Sequence, residues 1–269
     1  MKPIFLSPAP HLQPYIHKIW IHQSNQGLSV SGENLIPPNG RAKIMIPYLG
    51  TLSTTSDGKT ETCEENITYL IGVRDKPTHI AGSPVTGSIG IELTSKGSYK
   101  FLKFPMYKIS NTLVSFQNIY NIEGNRINAE LTSTNDPYEK INLIQRFLMN
   151  LVTNGNRHNL LFEYCISQIT NQHGLIEIQD LALDTGFSRR YLGQLFQNHL
   201  GISPKQFAMI QRFQFFYEGF RNDFLQKPDL SNIYDGYFDQ AHFIKEFRRF
   251  TGHSPQQFLH LKNDFGKNF

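Results

Sequence analysis

The sequence predicts an α+β protein, with a small N-terminal β-barrel and flanking helices followed by an all-α C-terminal domain. Three observations support this prediction. Short β-branched runs fill about the first 100 residues, apolar residues change to helical spacing from about residue 138, and residues 186–207 are repeated at 236–258. We therefore expect one domain over residues 1–155 and a second over 156–269.

The N-terminal strands are predicted by apolar runs that lie between turn residues. The turn at Pro37–Gly40 contains Pro, Asn and Gly, which favour tight turns. Residues 51–66 are polar and acidic, which predicts an exposed loop or hairpin. The predicted strands cover residues 43–48, 68–73, 78–81 and 88–94.

Two helices are predicted on either side of the domain boundary. Apolar residues recur at helical spacing from Ile141 to Leu151 and again from Leu160 to Ile169. Asn154-Gly155-Asn156 ends the first helix, so we place the boundary near residues 154–158. The first helix is equally compatible with pairing to another subunit and with packing on its own barrel.

The repeat in the last third of the chain has a shift of 51 residues. The aligned pairs are Leu192 and Phe243, Phe196 and Phe247, Gly201 and Gly252, Ser203-Pro204 and Ser254-Pro255, and Phe207 and Phe258. Each unit has a glycine turn, a short capped helix and a glycine stop, which is typical of a helix-turn-helix. We expect the two motifs at about residues 176–199 and 230–251, and two such motifs in one chain suggest that it reads DNA.

Each recognition helix of the repeat has a predicted start. In the first unit, helix 176–183 ends at Gly186, and Ser188 is the expected N-cap of a helix over residues 189–199. In the second unit, Asp239 takes the same role for helix 240–250. Ser203 is expected to cap a long helix that connects the motifs.

The faces of these helices indicate which residues would contact DNA. Leu192, Leu195, Phe196 and His199 share one face and are expected in the core, as are Phe243, Phe247 and Phe250. Arg suits the edge of guanine and Gln that of adenine, and a helix fits the major groove. The predicted base-reading residues are Arg190, Gly193, Gln194, Gln240, Ala241, Ile244 and Lys245. The predicted phosphate contacts are Ser188, Arg189, Gln197, Arg248 and Arg249.

The two predicted reading faces are unequal. Gly193 offers no side chain, so the first helix should read fewer bases, whereas Ala241 and Ile244 could touch thymine methyl groups. Either face alone could equally be the solvated side of an ordinary helical bundle. Two copies with matched caps and cores favour DNA reading, and their different faces predict direct, unequal half-sites.

Charge and composition exclude some classes of protein and identify none. The net charge is +4, yet residues 158–269 carry 11 basic and 11 acidic residues, so only the local placement of cations, Arg212 among them, could make a basic face. The sequence contains no run of about 18 uncharged apolar residues, so no membrane-spanning helix is predicted. The first ten residues, which contain three prolines, do not resemble a signal peptide. Cys63 and Cys165 lie far apart, which predicts reduced thiols in a cytoplasmic protein, with no disulfide, metal or cofactor.

The doubled motif resembles the AraC/XylS family of transcriptional regulators over residues 158–262. The matching residues of the first unit are Gly186-Phe187-Ser188, Leu192, Phe196, Gly201, Ser203-Pro204 and Phe207. Those of the second are Gly236-Tyr237, Asp239-Gln240, His242-Phe243, Phe247, Gly252, Ser254-Pro255 and Phe258. The resemblance implies a seven-helix domain that places two helices in the major groove.

The N-terminal part is similar to the cupin-like sensor domain of some of these regulators. Pro38–Gly40 and Gly87–Tyr107 carry this weaker similarity, which implies binding of a ligand or partner and supplies no binding residues. The expected partners are operator or promoter double-stranded DNA and RNA polymerase, with a small-molecule effector and a second copy of the chain as further candidates. Activation of transcription is the expected output.

The second motif departs from the family pattern in its first helix. Leu181-Ala182 precede Gly186 in the first unit, whereas Ser231 and Asn232 hold the matching positions of the second. Either two residues are missing from this helix, or its register shifts so that Leu230 and Ile233 point inward.

Two other functions remain open at this point. A cupin-type metalloenzyme or a repair enzyme would need clustered ligands or an activated thiol. The N-terminal histidines, His11, His17, His22 and His79, contain no H-x-H pair, and Cys63 lies among glutamates. A protein that binds only other proteins is the second alternative, and the Ser231-Asn232 departure motivates it.

Overall fold

The computed structural model describes residues 3–28, 34–102, 104–154, 159–223 and 240–261. The predicted α+β class is confirmed, because the strands of the N-terminal half form antiparallel sheets and the C-terminal half is helical. The predicted division at residues 155 and 156 falls in a segment outside these ranges and stays a prediction.

The N-terminal strands form two sheets. The strands are β1 Ile4–Leu6, β2 Ile16–Ser24, β3 Leu35–Ile36, β4 Lys43–Leu49, β5 Leu52–Ser56, β6 Lys59–Cys63, β7 Tyr69–Ile71, β8 Thr78–Gly82, β9 Thr86–Leu93 and β10 Leu113–Ser115. One sheet has the order β1-β2-β9-β4-β7-β10 and the other β3-β8-β5-β6. Every strand pair is antiparallel.

The predicted barrel takes the form of a two-sheet sandwich, because the described strands pair within each sheet and not between them. Successive residues of a strand point to opposite faces. In β4, Ile44 and Ile46 therefore pack in the large core that includes the helices, whereas Met45 packs between the sheets. Trp20 and Ile80 fill the same inter-sheet layer.

The polar segment 51–66 forms a hairpin, one of the two predicted alternatives. Strands β5 and β6 pair from Leu52 with Cys63 to Ser56 with Lys59. Asp57 and Gly58 make the turn with φ of 52° and 75°, as a two-residue hairpin turn requires.

The helices follow the predicted order. In the N-terminal half they are α1 Ser95–Lys100, α2 Phe116–Tyr120, α3 Ile122–Thr132 and α4 Pro137–Asn154. In the C-terminal half they are α5 Leu160–Asn171, α6 Ile178–Thr185, α7 Arg189–His199, α8 Pro204–Asp223, α9 Gln240–Thr251 and α10 Pro255–Leu259. Helix α6 begins two residues later than predicted because the backbone of Glu177 is extended, with φ of −74° and ψ of 135°.

Helix α4 packs on its own domain, the second of the two predicted alternatives. Ile144 and Leu148 are fully buried in the large core. The Ala9 amide donates to Gln145 Oε1 at 2.7 Å and ties the N-terminal segment to this helix. No helix in the described ranges is long and apolar enough to cross a membrane.

Aromatic side chains hold the C-terminal helices together. Phe213 of α8 lies 5.8 Å from Phe247 and 4.9 Å from Phe250 of α9 between ring centroids. Phe216 and Tyr217 of α8 are both buried in the same core. Ser231, Asn232 and the predicted cap Asp239 lie outside the described residues.

Candidate nucleic-acid interface

Helix α7 begins and ends as its sequence predicts. Gly186 ends α6 in the left-handed conformation, with φ of 73°, and Ser188 Oγ accepts a hydrogen bond from the Tyr191 amide at 3.2 Å. This bond satisfies one of the free amides at the start of the helix. Leu192 and Phe196 are fully buried, which fixes the rotation of α7 and turns its opposite face outward.

The outward face of α7 presents two cations and an amide. Arg189, Arg190 and Gln194 are exposed, whereas Gln197 is half-buried. A Cβ added at Gly193 would meet nothing within 4 Å, so this position is a gap in the surface. This face can donate hydrogen bonds to base edges and phosphates. Its exposed donors all lie in the first two turns of α7.

The outward face of α9 is the more basic one. Gln240, Ala241, Lys245, Arg248 and Arg249 are exposed. Arg249 also lies over the Phe250 ring, with 5.4 Å between its guanidinium carbon and the ring centroid. Ile244 is half-buried against the core, so less of its side chain than expected is free for a thymine methyl group.

Arg212 supports the interface instead of forming part of a basic face. Its Nη2 lies 2.6 Å from Glu246 Oε2, and its Nε lies 3.2 Å from Glu246 Oε1. The Glu246 side chain is 2% exposed, so the pair is largely shielded from water. This ion pair joins α8, which connects the two motifs, to the inner side of the second recognition helix.

Two aromatic residues at the start of α7 were missed by the sequence analysis. Phe187 and Tyr191 stack with ring centroids 4.9 Å apart, and each remains 44% exposed. The signal was present, since two aromatic residues four apart flank the cap at Ser188. The pair places apolar surface beside Arg190, where the helix would enter a groove.

The first motif also contacts the N-terminal domain, a relationship that the sequence did not predict. Ser110 Oγ donates to the Gly201 carbonyl, and Gln206 Nε2 donates to Asp75 Oδ2 at 3.0 Å. Further along α8, Gln214 Nε2 donates to the Pro38 carbonyl at 2.7 Å. The matching glycine of the second motif, Gly252, is exposed.

His199 forms part of this contact and is only half-buried, although it was expected in the core. Its ring stacks on Phe162 at 5.0 Å and meets Tyr99 edge-on at 4.9 Å. The Tyr99 hydroxyl donates to Glu163 Oε1 at 2.7 Å. Burial, followed by the bond to Glu163, raises the pKa of Tyr99, so this hydroxyl stays protonated as a donor.

The residues considered for an enzymatic site do not come together. The described residues contain no group of three or more His, Cys, Asp or Glu side chains that could hold a metal ion. Burial, with the nearby Glu61 carboxylate, raises the pKa of the Cys63 thiol to about 12. Burial also raises the pKa of Cys165, to about 11. Neither thiol is therefore activated as a nucleophile.

Comparison with known protein families gives two matches. Residues 181–260 match a family described as a helix-turn-helix domain. Residues 5–115 match a family described as a domain of unknown function, DUF6597. No functionally curated protein is significantly similar to the chain.

Solved structures give remote similarities. ToxT from Vibrio cholerae bound to (E)-4-(8-methylnaphthalen-1-yl)but-3-enoic acid has 12% identity and a TM-score of 0.48, over 90% of this chain and 97% of that one. Wild-type ToxT from the same organism, bound to an unsaturated fatty acid, has 11% identity and a TM-score of 0.46, over 95% and 97%. The AraC-like transcriptional activator CuxR has 16% identity and a TM-score of 0.28, over 75% and 73%.

Proposed function

We propose that this chain, a DNA-binding transcription regulator whose helix-turn-helix domain makes it a member of the AraC/XylS family, reads its operator with two helices. Helices α7 and α9 would enter successive major-groove segments of double-stranded DNA. The observation that carries the proposal is the repeat itself. Both helices are held by buried aromatic and aliphatic residues on one side and present Arg, Lys and Gln on the other.

The two helices would read different sequences. Arg190 and Gln194 on α7 favour guanine and adenine, while Gln240 and Lys245 on α9 provide a second set of donors. Successive major-groove segments on one side of DNA lie about 34 Å apart. Since the helices belong to one chain and differ in their faces, we expect an asymmetric site with two unequal half-sites in direct orientation.

The N-terminal domain would modulate this binding by receiving a ligand or a partner. Support comes from its hydrogen bonds to the C-terminal helices, which include Ser110 to Gly201 and Gln214 to Pro38. A ligand that favours one arrangement of these contacts would shift the population of DNA-binding conformations by its difference in affinity.

The proposal also includes activation through contact with RNA polymerase. A homodimer is a further candidate assembly, although two recognition helices in one chain already provide two groove contacts. Transcription from a bound promoter with purified RNA polymerase tests the output. A rise in transcript supports activation, whereas a fall would make the protein a repressor.

Recovery of bound genomic DNA tests the central claim. The full-length protein is incubated with sheared genomic DNA, and the retained fragments are sequenced and then measured individually by gel shift. We expect a shared asymmetric sequence of about two helical turns, with affinity that falls as salt rises. Fragments without a common sequence, or binding that does not saturate, would contradict sequence-specific recognition.

A further inference from the structure

The internal repeat matches positions of the two motifs that have different neighbours. Each matched pair lies at the end of a recognition helix or at the start of the helix that follows it. The pairs, at the shift of 51 residues, are His199 and Phe250, Gly201 and Gly252, and Gln206 and Gln257. Because the two motifs are alike in local structure, a difference in the surroundings of a pair is imposed by the rest of the fold.

The last turn of the first recognition helix packs on the N-terminal domain. His199 meets the ring of Tyr99 edge-on, with 4.9 Å between ring centroids, and Tyr99 belongs to α1 of that domain. The matching Phe250 packs on Phe213 of α8, also with 4.9 Å between centroids. The first contact therefore joins a recognition helix to the N-terminal domain, and the second stays within the C-terminal helices.

The glycine that follows each recognition helix shows the same difference. Gly201 and Gly252 both have left-handed backbones, with φ of 87° and 78°. A Cβ at Gly201 would collide with Ser110 Oγ and lie 2.9 Å from the Met106 carbonyl oxygen, and Ser110 Oγ donates to the Gly201 carbonyl. A Cβ at Gly252 meets no atom within 4 Å in the described part of the chain. The missing side chain of Gly201 therefore lets the N-terminal domain approach this closely.

The third pair offers a hydrogen bond that can be altered without altering the helix. Gln206 Oε1 accepts from the Ser203 amide at 3.0 Å, and its Nε2 donates to Asp75 Oδ2 at 3.0 Å. Gln257 Oε1 accepts from the Ser254 amide at 2.9 Å, and this exposed side chain makes its hydrogen bonds, among the described residues, within its own turn. Both glutamines close a capping box, and Gln206 also reaches the N-terminal domain.

We infer that Asp75 and Ser110 of the N-terminal domain are positioning residues for the first recognition helix, so that this docking governs reading of the first half-site and not of the second. The inference rests on the proposed reading of DNA by two helices. Docking fixes the far end of α7 and leaves Arg190 and Gln194 exposed. A helix that is already held in place loses less freedom on binding and therefore binds more tightly. Helix α9 takes its position from Arg212 of α8 instead.

Regulation through the N-terminal domain would then be unequal between the half-sites. A ligand or partner that loosens this domain from Gly201 and Gln206 frees α7 and leaves α9 paired to α8. The populations of docked and released α7 shift by the difference in affinity for the two states. The protein would keep its contact with the second half-site while it gives up the first.

The substitution Gln206→Glu tests the inference, because glutamate keeps the capping box and sets a second carboxylate against Asp75. The full-length variant should bind the recovered operator about tenfold more weakly, since the like charges oppose docking. This loss should disappear on fragments in which the half-site assigned to α7 by Arg190→Ala is scrambled. Asp75→Asn should restore the affinity of Gln206→Glu, because the new amide can donate to the new carboxylate.

Gln257→Glu is the matched control, because it adds the same charge at the matching position and also keeps a capping box. Any loss of affinity in this variant should be independent of the first half-site, and Asp75→Asn should not reverse it. The four combinations form a double-mutant cycle that isolates the Gln206–Asp75 contact from the effect of charge on DNA binding.

Hydrogen exchange measures the docking without DNA. Gln206→Glu should increase exchange in the last turn of α7 and at Met106–Ile109, Asp75→Asn should reverse the increase, and Gln257→Glu should not produce it. Gly201→Ala should produce the same increase and Gly252→Ala should not, although both carry a left-handed alanine. If Gly201→Ala does not fold, Gln206→Glu decides the result, since it adds no atom that collides.

The outcomes separate this inference from the proposed function. Equal losses on intact and scrambled first half-sites, no rescue by Asp75→Asn, or unchanged exchange in α7 of Gln206→Glu would overturn the inference alone. If the wild-type protein binds no specific sequence, the proposed function falls and the half-site claim falls with it. Exchange in α7 then still decides whether Asp75 and Ser110 position this helix.

Discussion

Arg212 and Glu246 form a bidentate ion pair across 34 residues of sequence, with N–O distances of 3.2 and 2.6 Å. Arg212 lies in the helix that connects the two motifs, and Glu246 lies on the inner side of α9. A paired charge with two parallel hydrogen bonds fixes orientation as well as distance. The pair therefore positions the outward face of α9 relative to the first motif.

Loss of this pair should destabilise the second motif. Glu246→Gln keeps the shape of the side chain and leaves Arg212 with a poorly compensated, mostly buried charge, so we expect a loss of about 3 kcal/mol in chemical denaturation. DNA affinity should fall as well, because α9 loses its fixed position. Glu130→Gln is the matched control, since it breaks the exposed Arg126–Glu130 pair and should cost only about 0.5 kcal/mol. Equal effects of the two variants would show that the buried pair has no special role.

If Arg190 and Lys245 read bases, replacing each of them should weaken DNA binding in a way that depends on the sequence of its own half-site. Arg190→Ala and Lys245→Ala should each weaken binding to the recovered operator by about 1–3 kcal/mol, and each should relax sequence preference at its own base positions only. Arg126→Ala removes an exposed positive charge from the N-terminal domain and serves as the control for net charge. Gel shifts on operators with single base changes provide the measurement. A uniform loss over all sequences would assign these side chains to phosphate contacts.

Replacing Gly193 with alanine should give a protein that is more stable than the wild type and binds DNA with a different affinity. The residue lies inside α7, and a Cβ there meets no atom within 4 Å. Gly193→Ala should therefore stabilise the protein by about 0.5–1 kcal/mol in chemical denaturation. If α7 enters the major groove, the added methyl group should change operator affinity as well. Unchanged affinity at higher stability would place Gly193 away from the DNA.

Both helices of the first helix-turn-helix unit and the recognition helix of the second were predictable, because their signals are local. Gly186, Ser188 and Leu192 lie within seven residues, and each acts on the same turn or helix through backbone conformation, capping or burial. The inter-sheet packing of Trp20 with Ile80 and the ion pair of Arg212 with Glu246 were not predictable. Their partners come from distant parts of the chain, and a single sequence does not show which residues meet across such distances.

The contact between the domains illustrates the same limit. Gln206 donates to Asp75, which is 131 residues away, and no feature of the sequence pairs these two residues. Sequence reasoning assigned Ser203 as a cap, which the structure confirms through a 3.2 Å bond from the Gln206 amide to Ser203 Oγ. It could not show that the Gln206 side chain also reaches the N-terminal domain. Local rules thus recover the elements, and long-range packing decides how they are coupled.

Because His22 is buried, we expect the folded protein to lose stability in mild acid. Burial lowers its pKa from 6.5 to about 4 in the folded protein, because the charged ring is poorly solvated there. As pH falls below 6.5, the unfolded chain takes up a proton that the folded protein does not. The free energy of unfolding should therefore decrease between pH 6.5 and 4, by on the order of 2 kcal/mol. Denaturation curves should show a flatter pH dependence for His22→Gln, whereas exposed His79→Gln should follow the wild-type protein. A parallel slope in His22→Gln would assign the acid sensitivity to other groups.

Gly40 tests the contact between the Pro37–Gly40 turn and α8. Gly40 and Gly58 both have left-handed backbones, with φ of 73° and 75°, so alanine at either position carries a similar backbone penalty of about 1–2 kcal/mol. A Cβ at Gly58 meets nothing within 4 Å, whereas one at Gly40 lies 3.1 Å from the buried ring of Phe207. Gly40→Ala should therefore lower the free energy of unfolding by about 1–3 kcal/mol more than Gly58→Ala. It should also increase hydrogen exchange along α8 and alter operator affinity, because it pushes the turn away from the connecting helix. Equal stability and equal exchange in the two variants would mean that the turn and α8 move independently, so that the N-terminal domain could not act on the recognition helices by this route.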